Sequence, residues 1–104
     1  MEKIKWSQKA KIDILHIYDY IFLDSEYYAN KTVIKIIESI NILNLFPRAG
    51  RKIHEYSNEE YRELIYKSYR IIYKVEQNKI IIQRIWHSAR LLSKEIISWN
   101  KNPK

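Results

Sequence analysis

Three side chains in the second half of the sequence have the chemistry that RNA cleavage without a metal ion requires. Arg62 and Arg84 carry planar guanidinium groups whose forked donors match phosphate oxygens. His87 carries an imidazole, a group that exchanges protons near neutrality and suits general acid catalysis toward a leaving 5′-oxygen. If the chain is a nuclease, Arg62, Arg84 and His87 are its predicted catalytic residues.

The expected strand register brings two of these residues beside a phenol. If the two polar turns of the second half close two-residue hairpins, Arg62 lies opposite Tyr73 and Ile71 lies opposite Arg84. Arg62, Tyr73 and Arg84 would then share one face of a sheet. Two guanidiniums beside a phenol form a suitable site for a phosphate.

Each of these residues also has a structural interpretation. Arg62 can pair with a nearby carboxylate such as Glu63 or Glu55, and Tyr73 fits an ordinary half-buried strand aromatic. His87 can form a hydrogen bond with the start of a final helix. The sequence leaves both interpretations open.

A second set of residues indicates a binding surface. Arg48, Arg51 and Lys52 cluster around Gly50, in a turn that suits contact with a nucleic-acid backbone or an acidic protein segment. Arg90 lies one turn into the predicted last helix, close to His87. We therefore expect Arg48, Arg51, Lys52, Tyr73 and Arg90 to contact a nucleic acid or a protein partner.

The first half of the chain has helical periodicity. Ser7 is a suitable N-cap for a first helix that extends to about residue 23, and Asp24-Ser25 breaks it from a second helix. The two helices should form a hairpin. Their apolar positions recur at spacings of three and four: Ala10, Ile14, Ile17, Tyr18 and Ile21, then Ala29, Val33, Ile36, Ile37, Ile40 and Leu43.

The second half has strand composition, rich in Ile, Tyr and Val. The predicted antiparallel strands are Arg51 to Tyr56, Tyr61 to Tyr66, Tyr69 to Glu76 and Lys79 to Trp86. Met1 to Trp6 should add a strand at one edge, and Ser88 should cap a short C-terminal helix with Leu91, Leu92 and Ile96 inside. The fold class is therefore α+β, with the N-terminal strand and the helix hairpin packed on a small antiparallel sheet.

Length and composition limit the function classes. The 104 residues predict one domain, 1–104, with 100–104 as a loose tail. The absence of Cys excludes a disulfide framework and thiolate zinc sites, and the three His are widely spaced, so we expect no metal and no cofactor. A net charge of +7 favours a polyanion or an acidic protein as partner.

The N-terminus predicts a cytoplasmic protein. It has no apolar leader region, and no apolar run approaches the roughly 18 residues of a membrane span. We therefore expect no membrane association.

The order of these landmarks resembles a known family. The chain has the helix hairpin, the turn Phe46-Pro47-Arg48-Ala49-Gly50-Arg51, the Arg62-Glu63 strand, the strand Tyr69-Arg70-Ile71-Ile72-Tyr73 and the terminal Ile85-Trp86-His87-Ser88-Ala89-Arg90. From about Trp6 to Leu92 it closely resembles the RelE/ParE superfamily of type II toxins. The resemblance implies a RelE-like fold and a bacterial growth inhibitor that a cognate antitoxin neutralises in a toxin-antitoxin hetero-oligomer.

Within this superfamily the resemblance leaves the target open. The turn around Gly50 and the terminal His before a long helix look more like the ParE branch, whose members poison DNA gyrase. The alternative is a RelE-like endonuclease that cuts mRNA on the ribosome, for which Arg62, Arg84 and His87 match contributing positions. Against it, Leu91 and Leu92 stand where many nucleases of the family have a Tyr. A third interpretation is a non-toxic nucleic-acid-binding regulator.

Overall fold

Two helices form a hairpin in the first half of the chain. The computed structural model describes residues 3–53 and 60–87. Helix α1 spans Gln8–Phe22 and helix α2 spans Glu26–Asn41, followed by a short 3-10 helix at Ile42–Asn44. The predicted hairpin is confirmed.

The Ser7 cap was correctly predicted from the sequence, and the break predicted at Asp24-Ser25 contains the cap of the second helix, Ser25. The Ser7 hydroxyl accepts a hydrogen bond from the Ala10 N–H at 3.0 Å, and Ser25 accepts one from the Tyr28 N–H at 3.2 Å. Each bond satisfies a backbone donor that the first helical turn leaves without a partner. No helix in the described ranges is long and apolar enough to cross a membrane.

The strands form one five-stranded sheet. In chain order they are β1 Lys3–Trp6, β2 Arg51–Lys52, β3 Tyr61–Tyr66, β4 Tyr69–Glu76 and β5 Lys79–His87. Their spatial order is β1-β5-β4-β3-β2, with β1 parallel to β5 and the other neighbours antiparallel. The α+β fold class and the position of β1 at a sheet edge are confirmed.

The strand bounds agree with the sequence for β3 and β4 and differ elsewhere. Strand β5 extends to His87, one residue beyond the prediction, so His87 ends the strand rather than following it. Strand β2 covers Arg51–Lys52 and Ile53 lies outside it, whereas the remainder of the predicted strand, 54–56, falls outside the described residues. The predicted C-terminal helix, with Ser88 and Arg90, lies outside the described residues, as does the 100–104 tail.

A β-bulge makes one predicted register wrong. Arg62 pairs with Tyr73 as expected, but Arg84 pairs with Ile72, whereas Ile71 pairs with Ile85. The pairing shifts by one residue between Ile72 and Tyr73, because β5 has one more residue there than β4. A one-residue shift moves a side chain to the other face of a sheet, so Arg84 does not share a face with Arg62 and Tyr73.

The bulge lies where β1 ends and α1 begins. Trp6 pairs with Ile82, and the Ser7 N–H then donates to the Ile82 carbonyl at 2.9 Å. The Ser7 hydroxyl donates to the Gln83 carbonyl, also at 2.9 Å. The N-cap residue of α1 thus also binds the bulged part of β5, and this pins the helix to the sheet.

Apolar side chains fill both faces of the sheet. The helix side holds the larger cluster, made of Ala10, Ile36, Ile40, Leu43, Ile71, Tyr73, Val75, Ile80, Ile82 and Ile85. A smaller cluster on the other side consists of Ile53, Tyr61, Ile72 and Trp86. Burial on both faces makes the sheet a rigid platform for the polar residues at its edges.

Candidate functional site

Gly50 is the centre of the first polar cluster, which we call the Gly50 centre: Arg48, Gly50, Arg62 and Tyr73. The Gly50 N–H donates to the Tyr73 hydroxyl at 2.8 Å, and Arg62 Nη1 donates to the Gly50 carbonyl at 3.0 Å. A Cβ on Gly50 would lie 2.6 Å from both the Tyr73 hydroxyl and the Glu63 carbonyl oxygen. Only glycine, which has no Cβ, lets the loop come this close to strands β3 and β4.

The phenol of this centre is neutral near physiological pH. Tyr73 is completely buried, which corrects the expectation of a half-buried strand aromatic. Burial raises the pKa of Tyr73, and the Gly50 hydrogen bond and the charges of Arg62 and Arg48 lower it in part. Tyr73 therefore acts as a hydrogen-bond group that orders the Gly50 loop.

Arg62 has spare capacity as a donor. Its predicted alternative partner Glu63 is occupied by two other arginines, so that interpretation is wrong for Glu63; Glu55 lies outside the described residues. Among the residues that the structure describes, the buried Arg62 Nε has no hydrogen-bond acceptor. Buried donors normally have an acceptor, so this unused Nε donor is unusual. Arg62 and the exposed Arg48 both act on the Tyr73 phenol through their charges.

Glu63 links strands β2, β3 and β4 through two arginines. Arg51 Nε donates to Glu63 Oε2 at 2.7 Å, and Arg70 Nε donates to Oε1 at 2.6 Å. The Glu63 side chain is 4% exposed, so its charge requires these partners. Arg51 remains 66% exposed and can contact a partner on its open side, as can the exposed Lys52 next to it.

Arg84 forms an ion pair with α1. Its Nε and Nη2 donate to the two oxygens of Asp13 at 2.8 and 3.0 Å, and the Ile85 N–H donates to the same carboxylate at 2.9 Å. The guanidinium also lies 4.5 Å from the Trp86 ring centroid. Asp13 therefore neutralises Arg84 and satisfies a backbone donor of β5 beyond the end of β1.

His87 lies at a cleft between α1 and the ends of β4 and β5. The cleft has a volume of about 500 Å³ and is lined by Asp13, His16, Ile17, Tyr20, Tyr69, Ile85 and His87. The rings of His87 and Tyr69 meet edge to face at 5.4 Å between centroids. Burial, with a smaller contribution from the Tyr20 phenol, raises the pKa of Tyr69.

The cleft contains residues that the sequence interpretation missed. His16, to which we assigned no role from the sequence, is exposed and lies in the same cleft as His87. The signal was present in the spacing, because Asp13, His16 and Tyr20 recur at three and four residues and so share one face of α1.

The predicted catalytic residues do not meet in one site. Arg62 pairs with Tyr73 from one side of β4, and His87 pairs with Tyr69 from the other side. Four residues along β4 and two strand spacings therefore separate the backbone positions of Arg62 and His87 by about 16 Å. Arg84 lies on the other face and is held by Asp13. The structure thus gives a Gly50 centre and a separate His87 cleft; Arg90 lies outside the described residues.

The chain is similar to known toxins in sequence and structure. Residues 4–92 match the family described as the ParE toxin of the type II toxin-antitoxin system parDE. The chromosomal ParDE system from P. aeruginosa matches with 28% identity and a TM-score of 0.70, covering 84% of this chain and 96% of that chain. No curated protein sequence matches at a significant level.

More distant structures share the fold. The RelBE2 toxin-antitoxin complex from Mycobacterium tuberculosis matches with 16% identity and a TM-score of 0.60, covering 83% of this chain and 96% of that chain. The E. coli DinJ-YafQ complex matches with 17% identity and a TM-score of 0.56, covering 89% and 100%. At this identity the likeness shows the fold alone.

Proposed function

The chain belongs to the ParE toxin family of type II toxin-antitoxin systems, and on that premise we propose that its target is DNA gyrase. A gyrase poison acts by binding and needs no proton-transfer site. The separation of Arg62, Arg84 and His87 is the observation that favours this target. A nuclease requires its acid and its phosphate-binding cations around one phosphate, within hydrogen-bond reach of the reacting groups.

The fixed partners of the two arginines support the same choice. Arg84 donates two hydrogen bonds to Asp13, so its charge is already compensated. Arg62 holds the Gly50 carbonyl and thereby shapes the loop that carries Arg48. In this proposal Arg48, Arg51 and Lys52 are the surface that contacts the target, and Arg62 and Tyr73 position the loop.

A cognate antitoxin is the proposed protein partner. Large apolar side chains are exposed on the helix hairpin and the loop after it, including Leu15, Tyr20, Leu23, Tyr27, Leu45 and Phe46 at 60 to 82% exposure. A set of this size favours a protein partner that covers it. The solved relatives include toxin-antitoxin complexes, which supports an antitoxin in that role. We place the protein in the cytoplasm, where gyrase acts.

The test uses purified gyrase and supercoiled DNA. Addition of the chain should cause double-strand cleaved DNA to accumulate, and an excess of antitoxin should prevent it. His87→Gln should retain this effect, because binding does not require a proton-transfer group. Arg48→Ala/Arg51→Ala should weaken it. Lys31→Ala/Lys35→Ala, at two exposed positions of α2, removes the same charge and is the control.

One observation favours the RelE-like alternative. The cleft brings His16 and His87 together, and two imidazoles suffice in principle for acid and base in RNA cleavage. In that case mRNA would be cut in translating ribosomes, and His87→Gln would reduce cutting by about 100-fold or more. Cut mRNA with no accumulation of cleaved DNA would reject the gyrase proposal. Normal growth during expression of folded protein would reject both.

A further inference from the structure

A groove lined by lysines lies on the side of the sheet away from the helices. We call it the lysine groove; Lys3, Lys5, Lys74 and Lys79 provide its positive charge. Its volume is about 640 Å³, and its remaining lining consists of two glutamates and the two amide side chains of the β4–β5 turn. It shares no residue with the Gly50 centre or the His87 cleft.

The strand register explains why the lysines converge. Ile4 and Trp6 pack on the helix-side cluster, so Lys3 and Lys5 lie on the other face of β1. Lys3 pairs with Lys79 across the β1–β5 interface. The ammonium groups therefore come from three adjacent strands, over an area of about 7 by 10 Å set by the strand rise and spacing.

The charges of the groove are only partly compensated. Lys74 lies 3.1 Å from the carboxylate of Glu76 and 4.0 Å from that of Glu60, and Lys79 lies 3.7 Å from Glu76. Lys3 and Lys5 have no ion-pair partner among residues 3–53 and 60–87. Like charges placed directly opposite each other destabilise a sheet, so the Lys3 and Lys79 pair works against folding. A bound polyanion would relieve this repulsion.

We propose that the lysine groove binds the sugar-phosphate backbone of duplex DNA without reading its sequence. Protein interfaces have an apolar or aromatic centre, and the lining that the described part of the chain gives this groove contains no apolar side chain. Proteins that hold single strands stack bases on aromatic rings. No aromatic ring among the described residues lines this groove, and the nearby Tyr61 ring, 5.6 Å from the Lys74 ammonium, is buried. Ammonium and amide donors on a rigid sheet match the evenly spaced phosphates of a duplex. The proposal is independent of the gyrase assignment.

The test measures how DNA binding depends on salt. Fluorescence anisotropy with the full-length chain and a duplex of about 20 base pairs should give a linear fall of log K with log salt between about 50 and 200 mM. Lys3→Gln/Lys5→Gln should make this negative slope shallower by about 1.8, since each lost phosphate contact contributes about 0.9. Lys31→Gln/Lys35→Gln on α2 removes the same charge and should leave the slope unchanged.

Two further titrations distinguish duplex DNA from other polyanions as the ligand. A single-stranded RNA and a polyglutamate peptide are titrated against the same variants. The proposal is overturned if Lys3→Gln/Lys5→Gln keeps the wild-type salt dependence, or if Lys31→Gln/Lys35→Gln weakens the salt dependence equally. It is also overturned if Lys3→Gln/Lys5→Gln binds RNA or polyglutamate more weakly than the wild type does but binds the duplex with unchanged affinity.

A second variant, measured for both thermal stability and duplex binding, tests the proposal independently. Lys3→Glu replaces the like-charge pair with an attractive one opposite Lys79, so it should raise Tm while it weakens duplex binding. A nucleic-acid site predicts these opposite changes. Unchanged duplex affinity in Lys3→Glu would overturn the proposal even if the double variant failed to fold.

Discussion

The Asp13–Arg84 pair decides whether Arg84 supports the fold or acts on a ligand, and Asp13→Ala tests it directly. The substitution removes the acceptor of three hydrogen bonds, two from Arg84 and one from the Ile85 N–H. Leaving the buried Ile85 donor without an acceptor costs about 1 to 3 kcal/mol. The lost charge-assisted bonds to Arg84 cost about 1.5 to 3 kcal/mol.

The expected loss of stability lies toward the lower end of the sum of these two costs. The Arg84 side chain is 18% exposed, so water can partly solvate the freed guanidinium. We expect Asp13→Ala to lower the free energy of unfolding by about 3 kcal/mol. For a domain of this size, that corresponds to a decrease in Tm of about 12 °C or more.

A double-mutant cycle isolates the pair. Asp13→Ala, Arg84→Ala and the double variant should give a coupling energy of about 1.5 to 3 kcal/mol in urea or thermal unfolding. Asp19→Ala is the control, because it removes an exposed carboxylate from the same helix, and its effect should stay within about 0.5 kcal/mol. A coupling near zero with a wild-type Tm for Asp13→Ala would refute the structural role of Arg84 and weaken the argument against a nuclease.

Three further predictions concern the sheet. Gly50→Ala should destabilise the chain by about 1 to 3 kcal/mol in urea unfolding, since its Cβ has no room. Burial raises the pKa values of Tyr69 and Tyr73 above the unfolded value of about 10. The contribution of these two tyrosines to the free energy of unfolding is therefore complete below about pH 10 and is lost as pH rises through their folded pKa values. An absorbance titration should show that both ionise later than an exposed tyrosine. Arg70→Ala should cost about 2 kcal/mol in thermal unfolding, and Arg51→Ala less than about 1, because Arg70 is 17% exposed and Arg51 66%.

Each of these has a contradicting result. A Gly50→Ala variant as stable as the wild type would mean that the loop does not meet Tyr73 as described. If all tyrosines ionise together near pH 10, the burial argument fails. Equal costs for Arg70→Ala and Arg51→Ala would show that exposure does not rank the two partners of Glu63.

Local signals in the sequence were enough to predict most of the elements. Ser7 and Ser25 mark helix starts because their hydroxyls satisfy backbone donors only three residues away. The bounds of β3 and β4 follow from composition and polar turns, and the two-residue turn fixes the pairing of Arg62 with Tyr73. These features depend on neighbours in the chain, so a linear pattern contains them.

Tertiary structure alone decided which polar residues meet. The Gly50 N–H and the Tyr73 hydroxyl are 23 residues apart, and Asp13 and Arg84 are 71 apart. Such contacts depend on how the helix hairpin packs on the sheet. The bulge in β5 is the clearest case: one added residue moved Arg84 to the opposite face, because side chains alternate along a strand. The sequence identified the residues with suitable chemistry, whereas packing and register determined that Arg62, Arg84 and His87 do not form one site.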